Sequence, residues 1–137
     1  MSDPGLTGRA FAAARDAGRG ALVGYLPVGY PSVPGSLAAL RALTGEGESP
    51  GVDLVEVGLP YSDPVMDGAT IQRAGTRALE RGVRTRDAFA GVEAVAANGT
   101  PAVVMTYWNL VERYGVDALA RDLAAAGGSG MITPDLT

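Results

Sequence analysis

An acidic residue interrupts an apolar run in 52-VDLVEVGLPYSDPVMDGATIQ-72, and two more aspartates follow it within eleven residues: Glu56, then Asp63 and Asp67. Paired carboxylates on one strand-and-loop unit divide labour readily, one transferring a proton while the other holds a substrate donor. The rest of the chain narrows the choice of chemistry, because its 137 residues include no histidine, no cysteine and, on inspection, no lysine. Without lysine the chain forms no Schiff base with a carbonyl substrate or with pyridoxal phosphate. Without histidine or cysteine it lacks an imidazole base, a thiol nucleophile, a disulfide framework and an ordinary transition-metal ligand set. Acid–base work falls to carboxylates, to tyrosines such as Tyr25 and Tyr107, or to groups on a partner.

Each candidate also has an ordinary explanation. Glu56 would be a solvated or arginine-paired residue if its strand were an open edge. Asp67 in Asp-Gly and Asp63 in Ser-Asp-Pro both suit turns. Tyr25 and Tyr107 could flank a planar ligand or simply pack. Glycines 127, 128 and 130 resemble a phosphate cradle, yet they precede a strand, where tight turning explains them.

Four apolar runs are read as strands: 21-ALVGYLP-27, 52-VDLVEV-57, 102-AVVMTYW-108 and 130-GMIT-133. Helical spacing separates them, in Leu37, Leu40 and Leu43, in Phe89 and Val92 after a cap at Thr85, and in Leu119 and Leu123. A helix around Thr7 to Asp16, within a segment spanning residues 1–19, precedes the first strand. Strands alternating with helices imply a parallel sheet with crossover connections, and the loops at Val28, Gly58 and Asn109 leave the carboxyl ends of the strands, where such folds place their chemistry. Alternation puts Glu56 on one face with Leu54 and sends Val55 and Val57 to the other. If the valines meet the helices, Glu56 points inward near the mouth. A carboxyl group partly removed from water there is expected to hold its proton more tightly, which suits an acid–base catalyst.

The net charge of −4 and 47% hydrophobic content fit one soluble domain. The eleven arginines are scattered along the sequence, and no block of them tracks a phosphodiester backbone, so nucleic acid is not an expected partner. MSDPGLTGRAF lacks the regions of a signal peptide, and no apolar run approaches membrane-spanning length, so the expected location is the cytoplasm.

The opening stretch closely resembles the signature of the tryptophan synthase alpha chain family. The likeness continues in order through 24-GYLPVGYPS-32, 101-PAVVMTYWNLVERYG-115 and 131-MITPDL-136. That resemblance implies a (β/α)8 TIM barrel that cleaves indole-3-glycerol phosphate to indole and glyceraldehyde 3-phosphate, in the last step of tryptophan synthesis. It implies assembly with a beta chain that carries the pyridoxal phosphate, with no cofactor in this chain. By the same resemblance Glu56 and Asp67 are the catalytic pair: Glu56 moves protons at the indole C3 and the glycerol hydroxyl, and Asp67 accepts from the indole N–H. Tyr25 and Tyr107 lie beside the ring, and Asp135 matches an aspartate near the fourth-strand mouth whose role stays open.

Ala69 and Leu110 stand where relatives carry proline. A barrel of this kind takes about 250 residues, so 1–137 corresponds to the first four βα units, one incomplete barrel domain without the later loops that bind phosphate. Slow or absent turnover by this chain alone is therefore expected, as is self-association through the open sheet edges and an inward face carrying Leu54. Two alternatives are a non-catalytic half-barrel that docks on the beta chain and another phosphate-handling barrel enzyme such as an isomerase. The pairing of Glu56 with Asp67 favours the lyase over the isomerase.

Overall fold

The computed structural model describes residues 3–136; Met1, Ser2 and Thr137, which fall in the expected terminal segments, lie outside the described residues. The elements run α1 (Gly5–Asp16), β1 (Val23–Pro27), α2 (Val33–Leu43), β2 (Leu54–Gly58), α3 (Ala69–Glu80), α4 (Thr85–Ala96), β3 (Ala102–Met105), α5 (Trp108–Tyr114), α6 (Val116–Ala125) and β4 (Gly130–Ile132). The strands form one parallel sheet in the order β1-β2-β3-β4.

The sheet is sealed on its helix side. Val55 and Val57 of β2 are fully buried and share a core with Val104 of β3, Leu40 of α2 and Val92 and Val95 of α4. Burying each such side chain is worth about 1.5–3 kcal/mol, so this layer supplies much of the stability. Gly91 lets α4 come close, since a side chain there would press within 3.1 Å of both Leu40 and Val57. Ser32 starts α2 by accepting a hydrogen bond from the Gly35 N–H at 3.1 Å, with proline in the first turn.

At the amino end of the sheet Arg19 grips Asp53 with two hydrogen bonds of 2.8 and 2.7 Å, and the Leu22 N–H adds a third at 2.8 Å. These donors hold the Asp53 carboxyl down at about 2. The clip fixes where the chain enters β1 beside the start of β2.

Several sequence expectations change. The third strand ends at Met105 rather than residue 108, because Trp108 begins α5. Thr85 is the first residue of α4, whose cap position is Arg84; the Asp87 carboxylate accepts from the Arg84 N–H at 2.7 Å. Helices α3 and α5 carry no expectation from periodicity. Five of the eleven arginines, scattered in sequence terms, fall between the first turns of α3 and of α4, at positions 73, 77, 81, 84 and 86, all exposed. Leu54, expected on an open face, is only 5% exposed. Thr7 and Phe11 of α1 wall the groove that Leu54, Glu56 and Val103 line, so the first helix covers that end of the inward face. The open remainder is formed by edge residues, with Val23 and Ile132 exposed by 37% and 40%.

Candidate active site

Register places Tyr25 beside Glu56, Glu56 beside Val103, and Val103 beside Gly130, a single row across the inward face of all four strands. Glu56 is half-buried between the fully buried Val55 and Val57, so strand alternation aims it away from the helices. The ion pairs among the described residues join Arg9 to Asp3, Arg19 to Asp53 and Arg121 to Asp122. Glu56 is in none of them, which removes the arginine-paired explanation. Gly130 belongs to a strand and to this row, whereas Gly127 and Gly128 do make the turn into β4 at the opposite end.

Gly58 is the next inward position after Glu56, and sequence reasoning missed its importance. The Tyr25 ring lies across it so closely that any side chain at Gly58 would collide with the Tyr25 hydroxyl. The visible signal was Glu56-Val57-Gly58 itself: a glycine two residues past an inward carboxylate occupies the same face.

Asp67 reaches the site from the loop that follows β2. The loop closes on itself through the Asp67 N–H to the Pro64 carbonyl at 3.2 Å and the Gln72 amide to the Asp67 carbonyl at 2.8 Å. Thus the backbone of Asp67 makes the turn while its side chain stays available. That carboxyl is half-buried, and loss of water raises its pKa above the ordinary value, opposed by a hydrogen bond from Tyr107. Asp63 behaves differently: it is exposed, and its carboxylate accepts from the adjacent Ser62 hydroxyl at 2.8 Å, a loop role.

Tyr25 connects the two acids. It lines a cleft with Pro60, Tyr61, Pro64 and Asp67, and it shares the strand row with Glu56. Its phenol is pushed up to about 12, first by burial and then by the negative charge of Asp67 and of Glu56. Both carboxylates therefore face one neutral tyrosine.

Tyr107 is 2% exposed and stands at the cap of α5, not within β3. Its ring packs against Tyr61 with centroids 5.1 Å apart, and its hydroxyl accepts from the Met66 N–H at 2.9 Å. Asn109 donates to the Tyr61 hydroxyl at 3.0 Å. Asp135 gains a role: its carboxylate oxygens accept from the Trp108 N–H at 3.0 and 3.2 Å, joining the loop after β4 to the start of α5. Tyr61 and Asn109 were not singled out from sequence, although each is a polar residue just past the end of a strand. Among the described residues no group of histidine, cysteine and carboxylate side chains is arranged to hold a metal ion, and no helix is long and apolar enough to cross a membrane.

The family model described as tryptophan synthase alpha chain matches residues 11–137. The chain belongs to the tryptophan synthase alpha chain family. Alpha chains of Mycobacterium avium and Mycobacterium tuberculosis are 64% identical over 129 residues and 59% identical over 136 residues. The alignments take in 94% and 99% of this chain but only 46% and 49% of those proteins, so the chain spans about half the length of the curated relatives it matches. Among solved structures, the aminoacrylate-bound tryptophan synthase from M. tuberculosis superposes with a TM-score of 0.90 at 60% identity, covering 96% of this chain and 52% of that one. The tryptophan synthase complex from Pyrococcus furiosus gives 0.77 at 37% identity, covering 86% and 48%. The four-stranded sheet is thus about half of the family's TIM barrel.

Proposed function

We propose that residues 1–137 form one incomplete barrel domain carrying the acid–base half of an alpha-chain active site, which cleaves indole-3-glycerol phosphate to indole and glyceraldehyde 3-phosphate. The observation that carries this reading is the convergence of Glu56 and Asp67 on Tyr25 at the carboxyl end of the strands. Carbon–carbon cleavage needs an electron sink, and a chain without lysine must find it in the substrate. Protonation of the indole at C3 converts the ring to an indolenine. The bond from C3 to the glycerol carbon then breaks, its electrons passing into the ring C=N. The hydroxyl on that glycerol carbon loses its proton as the aldehyde forms. The balance is one proton moved from hydroxyl to C3, which a single carboxylate on the inward row performs: Glu56.

Asp67 accepts from the ring N–H as the indolenine builds positive charge, and its partial burial strengthens that interaction. Tyr25, neutral up to high pH, lies beside the ring. Tyr107 acts from the same wall. The phosphate anchor belongs to later βα loops of the complete barrel. Assembly is with a beta chain in an alpha2beta2 tetramer in the cytoplasm. The beta chain's pyridoxal phosphate supplies the condensation of indole with serine.

A second reading, a non-catalytic half-barrel that docks on the beta chain, is favoured by one observation, the match to only about half of each relative. Indole release from indole-3-glycerol phosphate separates the two. The lyase reading expects slow or no release by the 137-residue chain alone and restored release when the remaining four βα units of an alpha chain are supplied with beta chain. No release from the completed assembly, with beta-chain binding retained, would leave the docking module.

A further inference from the structure

Three consecutive residues at the start of α5 each hold a different part of the mouth. The Tyr107 hydroxyl takes the Met66 N–H at 2.9 Å, the Trp108 N–H donates to Asp135 at 3.0 Å, and the Asn109 amide donates to the Tyr61 hydroxyl at 3.0 Å. The loop after β2 is therefore tied down at both ends, at Tyr61 and at Met66, by residues two positions apart on another unit. Tyr107 is suited to this task because it is 2% exposed and its ring is backed by Tyr61 at 5.1 Å, which removes its freedom to reorient. A phenol oxygen that accepts from a backbone N–H keeps its own proton to donate. The carboxyl of the very next residue, Asp67, lies close enough to that hydroxyl for each group to influence the other's titration.

We propose that Tyr107 is a positioning residue, which by gripping the Met66 N–H, with its hydroxyl beside the carboxyl of the next residue, sets where Asp67 stands relative to Tyr25. The proposal rests on the reading of Asp67 as the group that recognises the indole N–H. It assigns Tyr107 to the protein's own loop rather than to the substrate ring. A loop that carries a recognition group pays an entropy cost each time it orders, and a buried hydroxyl bonded to the backbone just before that group removes part of that cost in advance. The charged and titratable groups facing Tyr107 are Asp67, Asp135 and the Tyr61 phenol stacked on its ring, with Tyr25 also close enough to feel it.

The test uses the 137-residue chain and two readouts, amide hydrogen exchange at Met66 and the NMR titration of the Asp67 carboxyl carbon. In Tyr107→Phe, Met66 exchange should accelerate roughly tenfold with loss of its acceptor. Asp67 should titrate at higher pH because a donor to its ionised form is gone. Asn109→Ala leaves the Tyr107 hydroxyl in place and should leave the Asp67 titration where it was. Placing 3-fluorotyrosine at position 107, a stronger donor of the same shape, should move Asp67 to lower pH, which keeps the test decisive if the phenylalanine variant folds poorly. Met66 exchange within twofold of the parent in Tyr107→Phe, or an Asp67 titration unmoved by fluorination, would overturn the proposal. Neither readout depends on turnover, so the two failures are told apart: absent indole release with both shifts present counts against the lyase reading, and absent shifts count against the positioning role of Tyr107.

Discussion

The two faces of β2 share five residues and almost nothing else. On the helix side Val55 and Val57 are fully buried against Leu40 and Val92; on the inward side Glu56 is half-buried, open to a groove, and followed by a glycine that a tyrosine ring occupies. Close packing of apolar groups on one face stabilises the strand strongly enough that the other face can present a carboxylate and leave it without an ion-pair partner. Stability and chemistry are separated by a rotation of one residue along the strand.

That separation is broken most forcefully from the packed side. Leu40→Ala removes a fully buried side chain and should cost about 2–5 kcal/mol, a large share of the ~5–15 kcal/mol typical of a domain. Denaturant unfolding followed by circular dichroism measures it. A loss under 1 kcal/mol would mean that the helix layer does not carry the fold.

The inward side should respond differently. Gly58→Ala drives a methyl group into the Tyr25 ring and hydroxyl, so the ring must move, and the expected stability loss is about 1–3 kcal/mol. The movement exposes the phenol. Tyr25 ionisation should then fall from about 12 toward its ordinary value of 10, read as a tyrosinate absorbance step at lower pH. The sign also fixes a stability effect. A phenol whose folded pKa is raised contributes stability that is intact below pH 10 and lost as pH rises toward 12, and the alanine variant should lack that alkaline loss. An unmoved step with a loss of several kcal/mol would place Gly58 in the packed face instead.

Much of this division was legible in the sequence. Val-Glu-Val alternation fixes the direction of Glu56 once the valines face helices, and Leu37, Leu40 and Leu43 mark α2 plainly. Helix α3 escaped because its buried positions are Gly75 and Ala78, residues too small to register as an apolar stripe. Helix α5 escaped because Tyr107 and Trp108 extend the apolar run of β3, so strand and helix read as one segment. The covering of Leu54 by α1 and the grip of Tyr107 on Met66, 41 residues away, depend on tertiary contacts that no local pattern encodes. Asp67 was identified by family likeness; its burial and its shared orientation with Glu56 toward Tyr25 needed the fold.

The central claim is that the inward row performs proton transfer without supporting the fold. Glu56→Gln, made in this chain completed by the remaining four βα units and assayed with beta chain for indole release, tests it most directly. The amide keeps the shape of the side chain and cannot shuttle a proton, so turnover should fall by roughly 10²–10⁴-fold or below detection while substrate binding and the unfolding midpoint stay near those of the parent. Indole release within a few-fold of the parent would contradict the account.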